Sequence, residues 1–280
     1  MFNRRARRSF ADATFVVFCS LATLLAVSCL AVILGSLIYE GVGGINLAVF
    51  TKSTPAPGSE GGLANAIVGS IMMCAIAMTG AVVIGILAGT WLAEYSFDNW
   101  YAKLVRFMND VLLSAPSILI GLFVYEVVVA PTRGFSGYAG ALALALIATP
   151  VVTRTTEDVL KLQAKALRES GIALGTPMAV AIRRIMWKAA GGGIITGALL
   201  AFARVSGETA PLLFTSLNNQ FFSLDMTKPM ANLPMVIFQY ALSAYDDWRR
   251  LAWVGALLIA GTVLGINILV RIIAREPRRS

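Results

Sequence analysis

The chain has 280 residues, of which 58% are hydrophobic and only 14% charged, with a mean hydropathy of +0.76. Soluble domains carry about 25% charged residues, so a water-soluble globular domain is excluded and an integral membrane protein is expected. The net charge is +8 and there is no histidine, which removes imidazole acid–base chemistry and the commonest metal ligand.

A helix needs about 20 mostly apolar residues to cross roughly 30 Å of hydrocarbon. Residues 13–38 are uncharged behind a basic start, RRARR at 4–8. That apolar core outruns the ~7–15 residues of a signal peptide, and the stretch is read as a retained first span. Residues 63–93 form a second uncharged run, and 111–130 a third, interrupted near its end by Glu126. The fourth span covers 135–153, the fifth about 189–214 and the sixth 251–270. The expectation is an all-α, six-helix membrane domain occupying the whole chain. The cysteines, Cys19, Cys29 and Cys74, fall inside these apolar runs and form no CxxC pair, so they are read as small buried hydrophobes.

Lysines and arginines set the orientation. With the N-terminus inside, seventeen of the 23 fall on the cytoplasmic side, among them Arg4, Arg5, Arg7, Arg8, Arg271, Arg275, Arg278 and Arg279. Five fall outside: Lys52, Arg133, Lys228, Arg249 and Arg250. Both termini are therefore cytoplasmic, and the positive charge serves topology and lipid contact, with no nucleic-acid partner. Glycines four apart recur at Gly85 and Gly89, Gly193 and Gly197, Gly261 and Gly265. Such pairs let helix backbones approach closely in lipid, either within this chain or at a subunit interface.

Between the fourth and fifth spans lies an inward-facing segment, 154–188. Val159, Leu162, Ala166, Ile172 and Leu174 mark a partly apolar helix, with Glu157 and Asp158 placed in its first turn, where the helix dipole favours anions. Gly175 suits a left-handed stop, Thr176 an N-cap, and Pro177 the first position of a second helix. This helix–Gly–helix hairpin has the shape to dock into a groove of a soluble partner, or to lie as an amphipathic surface hairpin.

Within the fifth span, FARVSGETAPLLF places Arg204 and Glu208 four apart, on one helical face. Counting from Ala189, the pair lies roughly 22 Å along the axis at 1.5 Å per residue, past the bilayer midpoint toward the outside. Pro211 presses on the carbonyl of Gly207, so a kink is expected there. Charges and a freed carbonyl at membrane depth should face protein or a water-filled path. The fork of Arg204 suits a tetrahedral oxyanion, although a self-contained ion pair holding the bundle is the alternative. Glu126 is a weaker candidate for the same path. The outer loop, 215–250, contains LPMVIFQYALSAY, too short to span and fit for an interfacial, re-entrant or lid-like helix.

The motif ESGIALG, with Ile185 ten residues after Gly175, resembles the EAA loop of ABC importer permeases: E-A-A, three residues, Gly, nine residues, then Ile-x-Leu-Pro. Glu169, Gly175 and Ile185 match it; Ser170 and Gly171 replace the alanines, and Trp187 and Lys188 replace Leu-Pro. In that family the loop is the helix that engages the ATPase, which would assign coupling to Glu169, Gly175, Thr176, Pro177 and Ile185. ARVSGETAPLLF, NNQFFSLD, ANLPMVIFQYA and APSILIGLF are similar to segments of the phosphate-specific importer permeases. The resemblance implies a homologous second permease, two copies of an ATP-binding subunit and a periplasmic phosphate-binding protein, in a bacterial inner membrane. The chain has no Gly-Lys dipeptide and hence no phosphate-binding loop of the Walker type, so ATP would be used by the partner and no cofactor held here. Phosphate near neutral pH keeps an O–H that Glu208 can accept, whereas sulfate has none. The rival readings are a permease for another oxyanion or solute, and a proton-driven secondary transporter, which would need no coupling hairpin. A membrane enzyme lacks an evident catalytic set.

Overall fold

The computed structural model describes residues 2–96 and 99–273, with side chains over 8–96 and 99–272. The side chains of Arg4, Arg5 and Arg7, and the tail residues Arg275, Arg278 and Arg279, lie outside the described residues. All regular structure among those described is helical. Five helices are long and apolar enough to cross a membrane, or six when one bent pair is counted as a span.

The first run forms α1, Phe2–Gly43, which extends the expected span at both ends. Among the described side chains its apolar surface is almost wholly exposed, and its outer end meets the rest of the chain. There Gly41 and Gly44 abut Leu257 and Val254, on the last helix, Asp246–Ile273. A short α2, Leu47–Thr51, follows, capped by the Asn46 side chain, which accepts from the Val49 amide at 3.1 Å. Then α3, Ala64–Glu94, runs from outside to inside.

The third span departs from expectation. Residues 111–130 do not make one helix: α4, Trp100–Ser114, and α5, Ser117–Val124, meet at 106°. Pro116 has no N–H to donate and pushes Ala115 into extended backbone (φ −65°, ψ 135°). Residues 111–114 thus belong to an amphipathic helix at the inner end. From α5 the chain continues through a single π turn, Tyr125–Val129, into α6, Ala130–Thr132.

Helix α7, Gly137–Lys161, opens on a Ser136 cap that accepts from the Ala139 amide at 3.1 Å. It runs through Pro150 and outlasts the expected 135–153, since no breaker follows and Arg154 meets Asp158 one turn on at 3.1 Å. Glu157 and Asp158 therefore lie in the last turns of α7, and not in the first turn of the hairpin. The hairpin itself is α8, Lys165–Ala173, and α9, Met178–Ala181. Gly175 turns it in the left-handed region (φ 78°) as expected. The cap is shifted by one: Pro177 is the N-cap, its carbonyl accepting from Val180 at 2.9 Å and Ala181 at 3.0 Å, and Thr176 stands just outside.

A π turn, Ile182–Met186, leads into α10, Trp187–Ser206. The expected span 189–214 is broken at 207–209, and α11, Ala210–Thr215, begins anew with Pro211 near its start. A proline fits the first turn of a helix better than its interior, so a full break replaces the anticipated kink. The outer loop holds α12, Leu233–Ala241, before α13, Asp246–Ile273.

The core places α7 between α3 and α10. An added Cβ at Gly85 would strike Val152, one at Gly89 the Thr153 carbonyl, one at Gly193 Val159, and one at Gly197 Thr155. Two of the three glycine pairs are thus spent inside this chain, where small residues let backbones close up. Around them Met73, Ala77, Ala81, Leu144, Ile147, Val152, Ala201 and Val205 form the buried core. Gly261 and Gly265 meet nothing within 4 Å.

The outer ends are covered by the segment after α11. Asn65, buried at the start of α3, binds the Thr54 amide (3.0 Å), the Thr54 hydroxyl (2.9 Å) and the Asn219 carbonyl (2.8 Å). Asn232 caps α12 through the Met235 amide at 2.9 Å. With Leu233, Pro234, Met235, Val236 and Tyr240 buried, α12 is a lid packed on α3 and α13.

Candidate functional site

Arg204 and Glu208 come together at the α10 break. Nε of Arg204 stands 3.9 Å from Oε1 of Glu208, with the two side chains 36% and 16% exposed. This is ion-pair range but beyond hydrogen bonding, so the guanidinium donors stay available to a third group. Local sequence explains the placement. Ala201 and Val205 hold α10 to the core, while Leu200, one turn before Arg204, is 58% exposed. Arg204 thus sits at the seam between the packed and open faces. Gly207 ends the helix (φ −103°, ψ 1°), which places Glu208 in the break, and the Glu208 amide donates to the Val205 carbonyl at 3.3 Å.

Pro211 is buried, and α5 crosses α11 at Gly121, where an added Cβ would lie 2.6 Å from the Pro211 Cα. The proline sets a backbone contact that fixes α11 against α5, in addition to starting the helix. Glu126 lies in the π turn beyond α5 and is exposed, between Phe123 and Val127, which are exposed too. No hydrogen bond or ion pair joins it to Arg204 or Glu208 among the described residues.

In the hairpin, Glu169 is exposed and Gly175 is at the turn, with Thr176 and Pro177 beside it. Ile185 has a different position from these four: it packs onto Gly171, where an added Cβ would be 2.7 Å from its Cδ1. The glycine standing where the loop pattern has alanine is what lets the two arms close. Leu160, Ile182, Met186, Ala190 and Ile194 form the cluster beneath, with Leu167 and Trp187 against it.

The inner ends of the helices carry a set of contacts that spacing did not reveal. Glu94, the last residue of α3, has a fully buried side chain and meets Arg168 of α8, Nε to Oε2 at 2.7 Å and Nη2 to Oε1 at 3.0 Å. Arg106 of α4 donates to Glu157 at 2.7 Å, to the Leu92 carbonyl at 2.9 Å and to the Ser96 hydroxyl at 3.0 Å. Lys161 also pairs with Glu157. Trp187 donates its indole N–H to the Thr90 hydroxyl at 3.0 Å. The local signals are Glu94, an acid closing a long uncharged run, and the four-residue spacing of Glu157 and Lys161.

Residues 81–279 match the family model described as the binding-protein-dependent transport system inner membrane component. The chain is 53% identical over 247 residues to the phosphate transport system permease protein PstA of Yersinia pestis, covering 88% of this chain and 84% of that one. It is 34% identical over 265 residues to the probable phosphate transport system permease protein PstA of Methanocaldococcus jannaschii, covering 94% of each. A solved structure of the MetNI methionine ABC transporter, described as inward facing, superposes with a TM-score of 0.61 at 16% identity. It covers 75% of this chain and 95% of that one, a likeness of fold.

Proposed function

This chain belongs to the binding-protein-dependent transport system inner membrane components, and from that premise we propose that it is the permease subunit through which an ATP-driven importer carries inorganic phosphate. It is a multi-pass protein of the inner membrane and a permease of the ABC importer class. The observation that carries the phosphate assignment is the 53% identity, over most of both chains, to a phosphate transport permease.

The residues supply a matching chemistry. Arg204 and Glu208 lie in an apolar span, 3.9 Å apart at a helix break, and ionised groups at membrane depth mark ion pathways by default. Arg204 offers paired N–H donors to the oxyanion, and Glu208 accepts the hydrogen bond of the phosphate O–H. When no anion is present, each neutralises the other. Glu126 extends this path at its outer end. The hairpin of α8 and α9 engages the ATP-hydrolysing partner through Glu169, Gly175, Thr176 and Pro177, with Ile185 bracing it from within. The working complex pairs this chain with a homologous permease, two ATP-binding subunits and a periplasmic phosphate-binding protein; ATP is hydrolysed by the partner.

The test is ATP-dependent uptake of labelled phosphate by the assembled complex in liposomes, with arsenate and sulfate as competitors. Arsenate, which keeps an O–H near neutral pH, competes; sulfate does not. Arg204→Gln leaves the complex assembled and abolishes uptake. A wild-type complex that ignores phosphate refutes the assignment, and an Arg204→Gln complex that transports normally returns the pair to a structural role.

A further inference from the structure

Resting on that reading, we propose that the Arg168–Glu94 ion pair is the tie through which the cytoplasmic hairpin moves α3, making the two residues positioning residues for coupling. Arg168 and Glu169 are neighbours on α8 with different surroundings. Glu169 is exposed, while Arg168 turns inward and places two nitrogens on the carboxylate of Glu94, at 2.7 and 3.0 Å. The other inward contacts of α8 are apolar: Gly171 to Ile185, and Leu167 into the cluster of Leu160, Ile182 and Met186, against which Ile86 and Ala93 of α3 also pack. Arg168 is the polar link from α8 to α3.

The receiving end is built for load. Over its last two turns α3 accepts Trp187 at Thr90 and Arg106 at the Leu92 carbonyl, and Gly89 lies against the α7 backbone. At its outer end the same helix holds the lid, where the Leu233 amide donates to the Ser70 hydroxyl at 2.7 Å. One helix therefore connects the hairpin on the inside with the cover on the outside. The pair stays closed as the hairpin moves. The Glu94 side chain is 0% exposed, and withdrawing Arg168 would leave a bare carboxylate out of water, a state far costlier than the closed pair. Hairpin and α3 travel as one body.

The experiment measures phosphate taken up per ATP hydrolysed, using the complete complex in liposomes. Arg168→Ala and Glu94→Gln are expected to assemble and hydrolyse ATP, while the ratio falls by about tenfold, within the usual range of coupling between sites. Arg168→Lys keeps most of it. A merely structural role lowers complex yield, hydrolysis and uptake together and leaves the ratio unchanged; that result overturns the tie. Should the single variants fail to assemble, Glu94→Cys with Arg168→Cys is made in a chain whose Cys19, Cys29 and Cys74 are replaced by alanine. Joining the two thiols with a short bifunctional reagent restores the ratio if the pair remains closed, and a block of transport on joining overturns the proposal. A wild-type complex that takes up no phosphate counts against the functional reading; one that transports while its variants keep its ratio counts against the tie.

Discussion

Replacing Gly69 by alanine tests how the outer lid is seated. The added Cβ would stand 2.0 Å from the Ala231 carbonyl oxygen and 2.8 Å from Cγ of Met230. Ordinary contact between heavy atoms begins at roughly 3.5 Å, so the segment before α12 must retreat by an ångström or more. It has little freedom to do so, being held by Leu233 to Ser70 at 2.7 Å, Met230 to Ser216 at 3.1 Å, and Asn232 to Ser216 at 3.3 Å. Forced overpacking costs about 1–3 kcal/mol, and an amide left without its partner about 1–3 kcal/mol more. Alanine returns about 0.5–1 kcal/mol as the better helix former. The net loss is about 1–5 kcal/mol, which for a chain of this size lowers the melting temperature by roughly 2–20 °C. The assay is thermal unfolding of the purified protein in detergent followed by tryptophan fluorescence, since Trp248 stacks on Tyr240 of α12 at 4.3 Å and reports on this layer. Gly80→Ala on the same helix meets nothing within 4 Å and should melt as the wild type does or slightly higher. Equal melting of the Gly69 and Gly80 variants would refute the close approach of α3 and the lid.

Asn65→Leu removes three hydrogen bonds, two buried to Thr54 and one part-buried to Asn219. It should destabilise the outer layer by about 2–4 kcal/mol, seen as faster amide exchange over 215–232 with little change in α7. At Gly175, whose φ is 78°, Asn is expected to be tolerated and Val to cost about 1–2 kcal/mol, read as the loss of a single hairpin conformation by spin-label distances across α8 and α9. The Asp225 carboxylate, on the exposed outer loop, is held below the usual range by hydrogen bonds from the Thr227 hydroxyl and amide. The order it lends that turn is full above the ordinary carboxylate range and is lost as pH falls through the lowered value. The Thr227 amide resonance should follow this, and Thr227→Ala should move the transition to higher pH.

Local signals were legible and distant ones were not. Gly175 was readable because a left-handed stop depends on its own residue alone, and Arg204 with Glu208 because their spacing is one helical turn. Pro116 was visible too, but the apolar residues on both sides of it satisfy a length criterion that ignores direction, so a right-angled pair passed for one span. Pro211 suggests a kink because a ring inside a helix and a ring beginning a new one look alike in sequence, and only the end of α10 at Gly207 separates them. Thr153 to Lys161 carries enough polar residues to suggest a loop, yet Arg154 and Asp158 pair along the helix and keep it going. Glu94 and Arg168 are far apart in the chain, and nothing in either neighbourhood specifies the other. Their meeting follows from the packing of α3 on α7 and from the fold of the hairpin.

At their glycines α3 and α10 take short, β-branched side chains of α7, namely Val152, Val159 and Thr155, and at Gly89 the α7 backbone itself. Springy padding would dissipate a push applied at one rim of such a bundle, whereas rods packed this closely pass it on with little attenuation. The stiffness of this trio makes it a lever, and residues that touch neither cargo nor nucleotide, such as Gly89 and Gly197, are where its rigidity can be tuned.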